Sequence, residues 1–315
     1  MTNGDEFYSN RQIVHDQFIE VDGYNTHYLE CGDIRNPPLV LVHGGNFQLG
    51  IGAERWYPVI VPLSKHFRVF AVDELGGGFT DPPRNIADIG DVKPRADHVM
   101  QFVEKLGVGP VHLVGQSQGA WIAAYIALKR PDLVDGLVLV DSASLASGQG
   151  MKNANISENF KNSFAPGTMY SDNLRADADS VRRYVSIMMY EKTEIHPDFI
   201  AYGIDRGKKW LSIWDEPWKA FWEEDGGKRA REQHYLDGVH LREHLHKLNA
   251  PILIIWGKNT VKGLQSGISL FESLPDAEMH LFDKANHFLW IDQPERFCRS
   301  VISFLTSLHS PKIAG

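Results

Sequence analysis

An apolar run, Val111-His112-Leu113-Val114, leads directly into Gly115-Gln116-Ser117-Gln118-Gly119 and then into Ala120-Trp121-Ile122-Ala123-Ala124, a helix-forming stretch. A serine at the apex of such a turn, with glycines two positions before and after it, needs neighbouring chain to pass closer than a Cβ allows. Its hydroxyl then projects beyond the strand end, next to the free amides of the helix N-terminus. This is the order of a nucleophile elbow, so the sequence predicts an α/β sheet that presents Ser117 as a nucleophile.

Other runs supply the rest of the sheet. Pro38-Leu39-Val40-Leu41-Val42, Gly136-Leu137-Val138-Leu139-Val140 and Pro251 to Gly257 are nearly continuous and apolar, as strands buried on both faces must be. Phe67 to Asp73 and Glu278 to Phe282 extend the series, and helical segments separate most of these runs. FIEVDGYNTHYLECGD alternates about Asp22-Gly23, which predicts an antiparallel hairpin. The fold class is therefore α/β, a doubly wound, mostly parallel sheet. The alternation breaks once: from about Leu145 to Leu248 there is no strand-like run, only helical patterns carrying Trp210, Trp214, Trp218 and Trp222. We expect a core of residues 1–144 and 249–315 with a helical domain, 145–248, inserted between two strands.

A serine hydroxyl needs a base, and in this architecture the base comes from a loop after the last strand. Asp283-Lys284-Ala285-Asn286-His287-Phe288 lies between the last strand and a helix opened by Gln293-Pro294-Glu295, so His287 is the candidate. Upstream, His43-Gly44-Gly45-Asn46 ends a strand in the manner of an oxyanion loop. The amides of Gly45 and Gln118 are the expected oxyanion donors. Asp73 to Asp81 reads as a tight turn with a structural task.

Charge and cysteine content narrow the partners. The 40 acidic and 32 basic side chains give a net charge of -8 with no basic block, which argues against a nucleic-acid partner. No run is long enough to span a membrane, and the polar start MTNGDEFYSNRQ lacks a signal peptide's apolar region. Two distant cysteines, Cys31 and Cys298, fit a reducing compartment. The expectation is a soluble, cytoplasmic protein, compatible with a homodimer, acting on a small apolar or aromatic substrate without a cofactor or metal.

These motifs in this order make the chain from about Phe18 to Leu308 resemble the α/β-hydrolase fold superfamily, with the insertion in the place of its cap. HGGN, VRRYVSIMMYEKTEIHPDFI and HFLWIDQPERFCRSVISFL are most similar to the meta-cleavage-product hydrolases. The resemblance implies cleavage of a carbon-carbon bond in a vinylogous 1,5-diketone. It also implies substrate contacts at Asn46, Gln116 and Phe288, while Met188, with Met189 and Tyr190, is a candidate lining for an aromatic or polyketide-like ligand. Gln116 replaces the usual asparagine, and Phe288 the usual tryptophan. The cap arginine that grips the substrate carboxylate falls near Gly203, with Arg206 one helical turn on as its expected replacement.

The usual acid position after the Pro251–Gly257 run holds Thr260. A second position exists at the end of the strand after the nucleophile helix, as in the similar haloalkane dehalogenases and zearalenone lactonases. Asp141 ends the Gly136–Val140 run, 24 residues after Ser117, and is the expected acid partner of His287. Ester or lactone hydrolysis, cofactor-free dioxygenation and non-catalytic ligand binding remain alternatives. His240-Leu241-Arg242-Glu243-His244 matches the zinc-peptidase pattern H-x-x-E-H, but its context is a solvated approach to a strand.

Overall fold

The computed structural model describes residues 8–45, 52–85, 88, 91–146, 178–190, 195–209, 237 and 240–308. Its strands are β1 (His15–Val21), β2 (Tyr24–Cys31), β3 (Pro38–Val42), β4 (Arg68–Val72), β5 (Val111–Gln116), β6 (Val134–Val140), β7 (Ile252–Gly257) and β8 (Ala277–Phe282). They form one sheet in the order β1-β2-β4-β3-β5-β6-β7-β8. β1 and β2 are an antiparallel hairpin in register Val21 to Tyr24. Asp22 and Gly23 turn it with φ of 51° and 75°, which matches the twist of the two strands. β2 runs antiparallel to β4, and every later pairing is parallel.

The helices that matter here are α1 (Tyr57–Ser64), α2 (Val92–Leu106), α3 (Gln118–Lys129), α4 (Ala178–Met188), α5 (197–209), α6 (Leu264–Glu272) and α7 (Pro294–Ser307). Period-two alternation divides the central strands between two apolar layers. Leu39, Leu41, Val114, Val138 and Ile255 join Ile60 and Leu63 of α1 and Phe297 and Val301 of α7. Val40, Val42, Leu113, Leu139 and Ile254 join Phe102 of α2 and Ile122 and Ile126 of α3. Each such side chain contributes about 1.5 to 3 kcal/mol on burial, which is why these strands read as unbroken apolar runs.

Between β6 and β7 the described residues contain helices and no strand. Val181, Val185 and Met188 of α4 and Phe199 and Ile200 of α5 close over the first layer, beside Tyr57 and Trp290. The four expected tryptophans, 210 to 222, lie outside the described residues. Among the described residues no helix is long and apolar enough to cross a membrane, and both cysteines are buried free thiols.

The chain leaves β3 for β4 on one side and returns to β5 on the other. Connections therefore diverge at the carboxyl ends of β3 and β5, where open α/β sheets hold their ligands.

Buried His98 of α2 gives the fold a pH dependence. Its Nε2 lies 2.8 Å from the Thr26 hydroxyl, and burial pushes its pKa down to about 4. The unfolded chain, with an ordinary value near 6.5, takes up the proton first. Stability is thus complete above about pH 6.5 and falls by about 3 kcal/mol as pH drops toward 4, where the folded state protonates too. Urea unfolding of wild type and His98→Gln at pH 7 and pH 5 should show wild type losing about 2 kcal/mol more than the variant. Equal losses would assign the acid sensitivity elsewhere.

Candidate active site

Ser117 follows the last residue of β5 and caps α3 with φ 56° and ψ -118°, a backbone conformation that L-residues adopt only at a cost of about 1 to 3 kcal/mol. The flanking glycines are what permit it. A Cβ on Gly115 would come 2.2 Å from the Gly119 carbonyl oxygen, and one on Gly119 would come 2.3 Å from that of Val42. The turn is fixed by the Ser117 N-H donating to Val140 at 2.9 Å and by the Ser142 hydroxyl donating to the Ser117 carbonyl at 2.5 Å.

The loop after β3 lies directly against this turn. A Cβ on Gly44 would approach Ser117 Cβ to 2.8 Å, and one on Gly45 would strike the Gln118 side chain. Gln118 is the first residue of α3, so its amide has no acceptor within the helix. Its side chain is held by Arg95 Nη2 at 2.8 Å, and Arg95 Nη1 donates to Glu74 at 2.6 Å. His43 pins the same loop: Nδ1 donates to the Gly44 carbonyl at 2.8 Å and Nε2 accepts the Glu74 N-H at 3.1 Å. Asp73 has the structural task read for its turn, accepting the amides of Ala53 and Phe79 and pairing with His27.

The structure brings His287, after β8, to Asp141, after β6. His287 Nδ1 lies 2.5 Å from Asp141 Oδ2, and both residues are buried. Thr260, after β7, does not stand in the acid's place. Its hydroxyl donates to the same Oδ2 at 2.6 Å, so the position that lacks an acid supports the acid on the neighbouring strand. The Asn286 side chain ties the histidine loop down: Oδ1 accepts the amides of Val261 and His287, and Nδ2 donates to the Met189 carbonyl.

Burial pushes the Asp141 carboxyl up from its ordinary value, while the Thr260 hydroxyl and then Lys262 favour the carboxylate. Burial first, then the positive charges of Lys262 and Arg55, hold His287 well below its ordinary value. The imidazole is therefore neutral. Gln116 Nε2 faces His287 Nε2 at 2.9 Å, which leaves the lone pair on Nε2 and the proton on Nδ1, directed at Asp141.

Two expected substrate contacts, Gln116 and Arg206, are engaged by other side chains. Gln116 turns its amide onto His287, and its Oε1 is buried without a partner. The Ser117 hydroxyl makes no hydrogen bond among the described residues. Arg206 is not available as a carboxylate grip: it forms a two-pronged, fully buried ion pair with Glu54 and is packed between Phe79 and Tyr202. Met188 is buried in the layer under the inserted helices, and its carbonyl accepts the Phe288 N-H at 2.9 Å. Phe288 stacks beside His287 with ring centroids 5.7 Å apart. Asn46 lies outside the described residues.

Among the described residues no three His, Cys, Asp or Glu side chains converge on a metal position. The exposed His244 of the H-x-x-E-H run turns Nδ1 onto the His240 carbonyl, 2.9 Å away. One residue that sequence reading passed over lies at the site: Arg55, buried beneath the Gly44 carbonyl.

Residues 37–294 match the family model for the alpha/beta hydrolase fold. The chain is 26% identical over 296 residues to 2-hydroxy-6-oxo-6-(2'-aminophenyl)hexa-2,4-dienoic acid hydrolase of Metapseudomonas resinovorans, covering 92% of this chain and 91% of that one. It is 25% identical over 290 residues to the uncharacterized carboxylesterase nap of Bacillus subtilis (strain 168), covering 90% of this chain and 83% of that one. A variant of the meta-cleavage product hydrolase from Pseudomonas fluorescens IP01 superposes with a TM-score of 0.69 at 25% identity, over 94% of this chain and 99% of that one. The chain belongs to the alpha/beta hydrolase fold family and is an enzyme of the hydrolase class.

Proposed function

We propose that the protein is a cofactor-independent serine hydrolase built on Ser117, His287 and Asp141, with the amides of Gly45 and Gln118 as oxyanion donors. Residues 145–248 form its helical cap, over a core of 1–144 and 249–315. The observation that carries this reading is the buried His287–Asp141 contact beside a serine held at positive φ.

Substrate entry displaces the Gln116 amide from His287 Nε2, which then accepts the Ser117 proton as Oγ bonds to a carbonyl carbon. The imidazolium that forms is stabilised by Asp141 through Nδ1. The same proton passes to the leaving group as its bond to the carbonyl carbon breaks. Water then cleaves the acyl-enzyme, giving its proton to His287 and returning Ser117.

For the leaving group we infer carbon. A vinylogous 1,5-diketone first moves its dienol proton to the carbon next to the distant carbonyl. The bond between those two carbons then breaks with the electron pair on the leaving carbon. The named carbon-carbon hydrolases among the relatives support this choice. The engaged Arg206 and the carboxylesterase relative favour a second reading, ester hydrolysis with the same residues.

A 6-aryl-2-hydroxy-6-oxohexa-2,4-dienoate and the matched aryl ester separate the two. On the carbon-carbon reading kcat/KM is about 100-fold higher for the dienoate, equivalent to about 2.7 kcal/mol of transition-state preference. The opposite order assigns ester hydrolysis.

A further inference from the structure

Three buried arginines lie around the oxyanion loop. Arg95 is paired with Glu74 and Arg206 with Glu54, but Arg55 makes no ion pair among the described residues. It sits on the single turn Ala53–Trp56 and is 1% exposed. Its Nη1 donates to the Gly44 carbonyl at 3.1 Å, and its Cζ stands 5.3 Å from the centre of the Phe288 ring. Its Nε and Nη2 are buried with no hydrogen-bond partner among the described residues. A buried, uncompensated guanidinium costs several kcal/mol, so a protein that keeps one without an internal anion is poised to receive one.

The geometry says which anion. Nε and Nη2 share one edge of the planar guanidinium, and their two parallel N-H bonds match the two oxygens of a carboxylate. That edge belongs to a group wedged between Gly44, whose loop touches Ser117, and Phe288, the neighbour of His287. We propose that Arg55 is the specificity-determining anchor for a carboxylate on the substrate, held through Nε and Nη2 from the oxyanion-loop side of the site.

This inference rests on Ser117 being the nucleophile. It locates the anion on the core, not on the inserted helices where Arg206 is engaged. It also couples binding to chemistry. Arg55 is one of the charges that hold His287 low, so a carboxylate paired with it strengthens the base when substrate is present.

The test uses two chromogenic probes that differ in one charge, p-nitrophenyl hydrogen glutarate and p-nitrophenyl pentanoate. Wild type is expected to prefer the anionic ester in kcat/KM. In Arg55→Met that preference should fall about 100-fold, and in Arg55→Lys, which keeps a point charge but loses the fork, by about 10-fold. Because an unpaired buried cation is removed, the melting temperature of Arg55→Met should be unchanged or higher.

Calorimetry on the Ser117→Ala protein reads the anchor without turnover: the glutarate ester binds, and adding Arg55→Met removes that binding. No preference in wild type, or the same preference in Arg55→Met, overturns the proposal. Failure of wild-type Ser117 to react with a phosphonate, with anion binding intact, would instead overturn the serine-hydrolase reading and with it the role in substrate choice, leaving Arg55 as an anion site only.

Discussion

Ser117→Ala is expected to lower single-turnover hydrolysis by about 10⁶-fold, the loss seen when a triad serine is removed from an enzyme whose oxyanion donors remain. The effect is large because the attacking oxygen has no substitute in reach. Stability should barely change. The Ser117 side chain forms no hydrogen bond among the described residues, and the turn is held by backbone groups and by Ser142, all of which survive. Circular dichroism and the melting temperature check folding, and stopped-flow release of an aryl leaving group checks the rate. Residual turnover within 100-fold of wild type would mean that water, not serine, attacks.

Asp141→Asn is expected to lower kcat by about 10⁴-fold with little loss of stability. The carboxylate accepts from both His287 Nδ1 and Thr260 Oγ1. An amide in its place can donate to Nδ1, which drives the proton to Nε2 and blocks the lone pair that the serine needs. Thr260→Ala removes one hydrogen bond to a buried carboxylate and should cost about 10-fold. Because Thr260 Oγ1 already touches the atom that His287 uses, Asp141→Asn with Thr260→Asp should recover part of the loss. Near-normal kcat in Asp141→Asn rejects the assignment.

The sheet was legible because its central strands are buried on both faces, so apolar runs of four to seven residues marked β3, β5, β6 and β7. The elbow was legible because two glycines at fixed offsets answer a collision that any side chain would cause. Asp141 was legible from the acid position that similar enzymes use at the end of the strand after the nucleophile helix; β7 lies between that strand and β8, so His287 meets Asp141 across the end of β7, where Thr260 also reaches it.

Side-chain partnership was not legible. Arg206 meets Glu54 across 152 positions, and no local pattern announces that the arginine is already engaged. Gln116 read as a substrate contact because asparagine has that place in similar enzymes, but its extra methylene lets the amide reach His287. Thr260 looked like a missing acid, and only its geometry shows a donor to the acid next door. Arg55 carries no motif at all. Its significance is two buried guanidinium nitrogens without a hydrogen-bond partner among the described residues, a feature that exists only in three dimensions.

The central claim is that Ser117 is the nucleophile of a serine hydrolase, and covalent capture tests it most directly. Wild-type protein treated with an ethyl fluorophosphonate, digested and read by mass spectrometry, should carry one phosphonyl group, on the peptide containing Ser117, and Ser117→Ala should carry none. An unmodified Ser117 peptide in wild type, or the same adduct on another residue in both proteins, would contradict the account.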